Sequence, residues 1–244
     1  MYFYVETGII MNKKNKFLRL FFPYRCELCG EIIPIEKDYC DCYKMKITRV
    51  SEDFCEHCGR ETKKCVCSEK EIKLPHITAP FVYRGFIEKY IIAYKFHGKK
   101  HFHKKLGIEM ANRFSACYPS VNADMVTFVS VSQKTLFLRG YNQSELLAKA
   151  VAENLSLPLV PLFVKTKETK SQSHLTAKER ATNLNNAISL IDNADIEGKT
   201  IILCDDVKTT GNTFNICVKL LTDAGASDVY CLSAAISDYE KLPF

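Results

Sequence analysis

From about residue 76 onward the chain alternates between short apolar runs and longer stretches in which apolar side chains return every three or four positions. Phe81–Gly85, Met125–Val131, Leu159–Val164, Thr200–Cys204 and Val229–Ala235 read as strands, and the solid runs around Val126 and Ile202 suit strands covered on both faces. Between them, Ile87, Tyr90, Ile91 and Tyr94 mark one face of a helix, and Leu106 to Phe114 forms a second. Leu146, Leu147, Ala150 and Val151 mark a third, and Phe214, Cys217, Val218 and Leu221 a fourth that stops at Gly225. This alternation predicts an α/β fold over residues 76–238: an open, mostly parallel sheet with helices on both faces and a ligand at the strands' carboxyl ends.

The 244 residues fit one or two domains at about 100–200 residues each, with 47% apolar and 25% charged side chains, so neither a disordered nor a membrane class is suggested. The longest apolar runs fall far short of the roughly 20 residues that span a bilayer. In Met1–Ile10 no positive charge precedes the apolar residues, and Lys13, Lys14 and Lys16 follow them, which is not the order of a signal peptide. Met11 opens a more ordinary cytoplasmic beginning and is a candidate start alongside Met1.

Before residue 75 the texture differs. Eight of the twelve cysteines, Cys26, Cys29, Cys40, Cys42, Cys55, Cys58, Cys65 and Cys67, fall in two quartets, each a Cys-x2-Cys followed by a Cys-x-Cys. A glycine follows each Cys-x2-Cys pair, as in knuckles where a tight turn presents two thiolates to one zinc ion. Eight thiolates suit two tetrahedral Zn2+ sites, with a disulfide framework as the alternative. Sequential pairing is the simplest, and an interleaved one fits the same spacing. His57 reads as a turn residue, because each quartet is complete without it. So few aliphatic residues accompany the cysteines that metal would supply much of this segment's folding energy. Cys117, Cys204, Cys217 and Cys231 read as small core residues.

The fourteen residues Thr200–Thr213 hold the clearest chemistry. The strand delivers Asp205 and Asp206 at its end, and Thr209, Thr210, Gly211, Asn212 and Thr213 lead into a helix. Free N–H groups and the positive dipole end of a helix favour a phosphate there, Gly211 permits close approach, and the threonine hydroxyls add donors. Two adjacent carboxylates can accept hydrogen bonds from the vicinal diol of a ribose. A sugar phosphate satisfies both halves. Lys208, between the two groups, is either a further phosphate contact or a solvated charge. The run resembles the phosphoribosyl-pyrophosphate (PRPP) loop of type I phosphoribosyltransferases.

Other polar features surround this centre. Residues 1–105 carry the chain's excess of Lys and Arg, while the remainder is slightly acidic. Lys95, Lys99, Lys100, Lys104 and Lys105, interleaved with Phe96 and Phe102, could contact single-stranded nucleic acid, or form a solvated connection. His97, His101 and His103 belong to the same surface. Arg139, in the loop after the strand at residue 125, is a fork-like donor for pyrophosphate. The polar segment 165–183, with Lys165, Lys167 and Arg180, suits a lid or a plain surface connection.

Taken together, the paired cysteine knuckles, Tyr94-Lys-Phe-x-Gly98, Arg139-Gly-Tyr-Asn-Gln143, Arg180-Ala-x-Asn183 and the loop at 205–213 resemble the ComF family of competence proteins. Ser130 and Ser132 stand where that family is expected to carry prolines. The resemblance implies an N-terminal extension over 1–22, a double zinc ribbon over 23–74 and a type I phosphoribosyltransferase domain over 75–244. It also implies a cytoplasmic place in DNA uptake during transformation, with single-stranded DNA and competence proteins such as a translocation helicase as partners. Two functions follow. In one, Mg2+-PRPP binds and a nucleophile displaces pyrophosphate at the anomeric carbon. In the other, the site senses PRPP or grips a sugar phosphate of DNA within a binding module.

Overall fold

Five strands pair in parallel into one sheet: β1 (His76–Thr78), β2 (Phe81–Tyr83), β3 (Met125–Phe128), β6 (Thr200–Lys208) and β7 (Asp228–Ser237). The order is β1–β7–β6–β3, with β2 following β1 along the same side of β7. Ala79-Pro80 separates the two short strands, because proline has no N–H for the ladder. The computed structural model describes residues 23, 31–34, 47–65, 67, 74–165 and 188–237. The chain divides into two units, Met1–Lys46 and Ile47–Phe244, and the sheet, its helices and the second cysteine quartet belong to the second.

The two faces of β6 show why its sequence is solidly apolar. Ile201 and Leu203 enter a core with Phe214, Cys217 and Leu221 of α5 (Asn212–Asp223), joined by Leu162, Phe163 and Ile188. The other face receives α4 (Gln143–Leu155), and α2 (Phe102–Cys117) packs against α4 and against β7. At their crossing stands Gly107, where an added Cβ would meet the Ala150 Cβ at 2.3 Å. Buried Cys204, Cys217 and Cys231 are core residues as expected, while Cys117 is half-buried with its sulfur 3.6 Å from Thr78 Oγ1.

Several elements differ from the sequence pattern for local reasons. β6 does not stop at Cys204. The long strand β7 offers backbone partners up to Lys208↔Ile236, so the acidic pair lies inside the strand and not beyond it. β3 ends at Phe128, since Ser130 Oγ donates to the Phe163 carbonyl and Ser132 caps a short helix, α3 (Gln133–Arg139), within the expected loop. The run at 159–164 is divided by Pro161. Leu159 bridges to Val126, and β4 (Phe163–Lys165) then pairs antiparallel with β5 (Ile188–Leu190). No helix among the described residues is long and apolar enough to cross a membrane.

Candidate functional site

Asp205 and Asp206 sit one after the other at the carboxyl end of β6, and each has a different partner. The Ser144 hydroxyl donates to Asp205 Oδ1 at 2.7 Å, and the Asp206 N–H donates to the same oxygen at 2.8 Å. Ser144 occupies the first turn of α4, where Asn142 Oδ1 caps the N–H groups of Ser144 and Glu145. Asp206 instead accepts an ion pair from Lys95 Nζ at 2.8 Å. Burial, and then the neighbouring Asp206 charge, raise the Asp205 pKa to about 7 against the hydrogen bonds and Lys95, which lower it.

Lys95 therefore turns towards the acidic pair, away from the basic surface to which its sequence neighbours assign it. It is held there by the end of α1 (Gly85–Phe96): Tyr94 Oη donates to the Gln143 carbonyl at 2.7 Å, and Tyr141 Oη donates to the Tyr94 carbonyl. Lys99, Lys100 and Lys104 are exposed, with Lys100 Nζ 5.0 Å from the centre of the Tyr141 ring. Lys105 pairs with Glu109 at 3.6 Å. His97 and His101 lie exposed among them.

Beyond the pair, Thr209 and Thr210 are exposed, and Gly211 turns the chain into α5 with φ +88°, a backbone state that favours glycine. No side chain caps α5, while the Asn212 N–H reaches Thr210 Oγ1 at 3.4 Å and Thr213 lies half-buried in the first turn. Lys208 is not a solvated charge. It is 1% exposed and its Nζ donates to the Cys58 carbonyl at 3.1 Å, facing the cysteine knuckle.

Arg139 ends α3 instead of lying in an open loop. It donates to Gln143 Oε1 at 2.8 Å, and its guanidinium lies 4.6 Å from the centre of the Phe96 ring. Together with Lys95, Phe96, Gly98, Thr135 and Tyr141, it lines an open cavity of about 420 Å³ beside the Lys95–Asp206 pair. On the other side Lys165 ends β4, where burial lowers its pKa and the Asp205 charge opposes that shift. The remaining lid candidates, Lys167 and Arg180, lie outside the described residues.

Of the two cysteine quartets, Cys26, Cys29, Cys40 and Cys42 lie outside the described residues, whereas Cys55, Cys58, Cys65 and Cys67 converge. Their four sulfurs lie within 4.8 Å of one another, with Cys55–Cys67 at 3.7 Å and Cys58–Cys65 at 3.8 Å. A zinc tetrahedron with bonds of about 2.3 Å has edges of about 3.8 Å, so this thiolate set fits that ion. Burial raises the Cys55 pKa, but hydrogen bonds from the N–H groups of His57 and Cys58 and from the Cys65 and Cys67 thiols together outweigh it and bring the thiol to about 7. His57 stays out of the cluster, its Nδ1 lying 2.8 Å from the Leu74 carbonyl oxygen.

Sequence pattern alone missed Ser144 and the role of Lys95. The run Asn142-x-x-Glu145 is a helix-start signal that places Ser144 in the first turn, and so could have pointed to it. Nothing local in the sequence joins residue 95 to residue 206.

A sequence profile described as the phosphoribosyl transferase domain matches residues 142–240, which run from the cap of α4 through β7. Competence protein F of Haemophilus influenzae is 40% identical over 93 residues, covering 37% of this chain and 41% of that protein. Competence protein ComFC of Bacillus subtilis is 26% identical over 202 residues, 79% of this chain and 80% of that one. The DNA utilization protein YhgH of Escherichia coli is 34% identical over 112 residues, 45% and 48% of the two chains. The matched segment is thus less than half the length of competence protein F and of YhgH. Among solved structures, an adenine phosphoribosyltransferase superposes with a TM-score of 0.38 at 13% identity, covering 59% of this chain and 75% of that one.

Proposed function

This chain is a ComF-family protein with a domain of the type I phosphoribosyltransferase fold, and from that premise we propose that the end of β6 and the loop before α5 bind PRPP as its Mg2+ complex. One observation carries the reading: two carboxylates in the last part of a strand are followed, five residues after Asp206, by a glycine turn into a helix with no side-chain cap. In this site Asp205 and Asp206 accept the ribose hydroxyls, and Thr209, Thr210, Gly211, Asn212 and Thr213 hold the 5′-phosphate. Arg139 and Lys95 face the pyrophosphate from the adjoining cavity, and Lys165, Lys167 and Arg180 are the candidates for a lid. Lys208 acts from beneath the loop and not on the ligand.

The same premise gives the setting. We infer a cytoplasmic role in DNA uptake during transformation, with single-stranded DNA and competence proteins such as a helicase as partners. The exposed Lys99, Lys100 and Lys104 beside an exposed Phe96 support the single-strand reading. The proposed division remains an extension over 1–22, two zinc knuckles over 23–74 and the phosphoribosyltransferase domain over 75–244, with the second knuckle seated against the sheet.

Thermal unfolding of the zinc-loaded chain with and without Mg2+-PRPP tests the reading. Ligand at about 100 times its dissociation constant stabilises by about 2.7 kcal/mol, so the wild-type transition rises and that of Asp205→Ala/Asp206→Ala stays fixed. No rise in a folded wild type would overturn PRPP binding and favour the nucleic-acid module.

A further inference from the structure

The cysteine knuckle and the phosphate loop are 150 residues apart in sequence, yet one side chain bridges them. Lys208 directly precedes Thr209. Its stem lies under the loop glycine, since a Cβ on Gly211 would stand 3.3 Å from Lys208 Cε. Its ammonium reaches the carbonyl of Cys58, one of the four converging cysteines, and both residues are almost fully buried.

Burying an ammonium costs free energy unless hydrogen bonds and opposite charge compensate it. The Cys58 carbonyl supplies a bond, and four thiolates around a zinc ion carry a net charge of −2 next to it. The knuckle turn is itself fastened to the sheet. The Glu56 backbone carbonyl accepts the Ile77 N–H at 2.8 Å, and Arg60 Nε and Nη2 donate to the Ser237 carbonyl at 3.3 Å. Gly59, at φ +74°, sits so close to β7 that a Cβ there would lie 2.3 Å from Ile236 Cδ1. A turn seated in this way fixes where the Cys58 carbonyl points.

We propose that Lys208 is a positioning residue through which zinc at Cys55, Cys58, Cys65 and Cys67 sets the 209–213 loop, so that zinc and a sugar phosphate bind cooperatively. The inference rests on the sugar-phosphate reading of that loop. When the four cysteines lose their ion, the turn at 55–60 loses its cross-link and its carbonyl no longer holds the ammonium. Lys208 then seeks another acceptor and carries the loop with it. By reciprocity, a ligand that requires the ordered loop tightens binding of the metal, and because the metal leaves as the turn and loop loosen, the ligand slows its loss.

Zinc transfer from the full chain to a colorimetric chelator tests this, followed with and without Mg2+-PRPP in wild type and Lys208→Met. Mg2+-pyrophosphate controls for direct capture of the metal by phosphates. PRPP is expected to slow one zinc-release phase about fivefold or more in wild type and not at all in Lys208→Met, at equal zinc content. Equal slowing in both proteins, or none in a wild type whose unfolding temperature PRPP raises, overturns the coupling. If PRPP leaves the wild-type unfolding temperature unchanged, the PRPP reading fails and hydrogen exchange decides the coupling alone. The same measurement serves if Lys208→Met does not fold. In Cys65→Ser/Cys67→Ser, the amides of 209–214 should exchange about fivefold faster than in wild type while Met125–Phe128 stays protected. Unchanged exchange at 209–214, with the amides of 55–65 exposed, overturns it.

Discussion

Adjacent carboxylates with the same chemistry have been given different work by their neighbours. Asp205 is buried against Ser144, and its pKa is raised to about 7, so the folded chain binds its proton more tightly than the unfolded chain does. Its contribution to stability is therefore full below about pH 4 and is lost as pH rises through about 7. In Asp205→Asn, which keeps an acceptor for the Ser144 hydroxyl, the melting temperature should fall less between pH 4 and pH 8 than in wild type. Parallel profiles would show that Asp205 ionises without penalty. Ribose hydroxyls donate to an ionised carboxylate, so calorimetry near pH 7 in buffers of different ionisation enthalpy should reveal proton release when Mg2+-PRPP binds. Asp206, paired with Lys95, has its charge met before any ligand arrives. The acidic pair, the glycine and the threonines were all legible because their chemistry is contiguous. The partners Ser144, Lys95 and Cys58 were not, because each is brought in by folding from 61 or more residues away.

At the scale of elements, strand and helix alternation could be read wherever an apolar stripe or run was unbroken, as in α4, α5 and the core of β6. It failed where backbone pairing overrode composition. Asp205, Asp206 and Lys208 are poor strand residues by propensity, yet pairing with β7 carries the ladder through to Lys208. Helix α3 lacks a buried residue, so no apolar stripe announces it. The crossing of α2 on α4 depends on one absent side chain. Gly107→Ala places a Cβ against Ala150 and 3.2 Å from the Leu147 carbonyl oxygen, and should cost about 1–3 kcal/mol in urea unfolding despite its better helix propensity. A stabilised variant would mean that the helices separate without loss.

For the whole molecule, the sheet joins the beginning of the described fold to its end, because β1 and β2 both pair with β7. Chelation should therefore act beyond the knuckle, lowering the cooperative unfolding temperature of the sheet as well as releasing metal. A chelated chain, shown to be zinc-free by elemental analysis, that melts unchanged would show that the knuckle is ornamental to the fold. The same topology has a consequence for synthesis. The last residue of the knuckle's bed, Ser237, is made about 170 residues after Cys67, which at about 5–20 residues per second leaves the thiols without their seat for roughly 10–30 seconds. During that interval the nascent cysteines face the oxidants and competing metals of their surroundings with only their own turn to shelter them. Loading of the ion at the ribosome, before the sheet closes, is then a matter of kinetic competition.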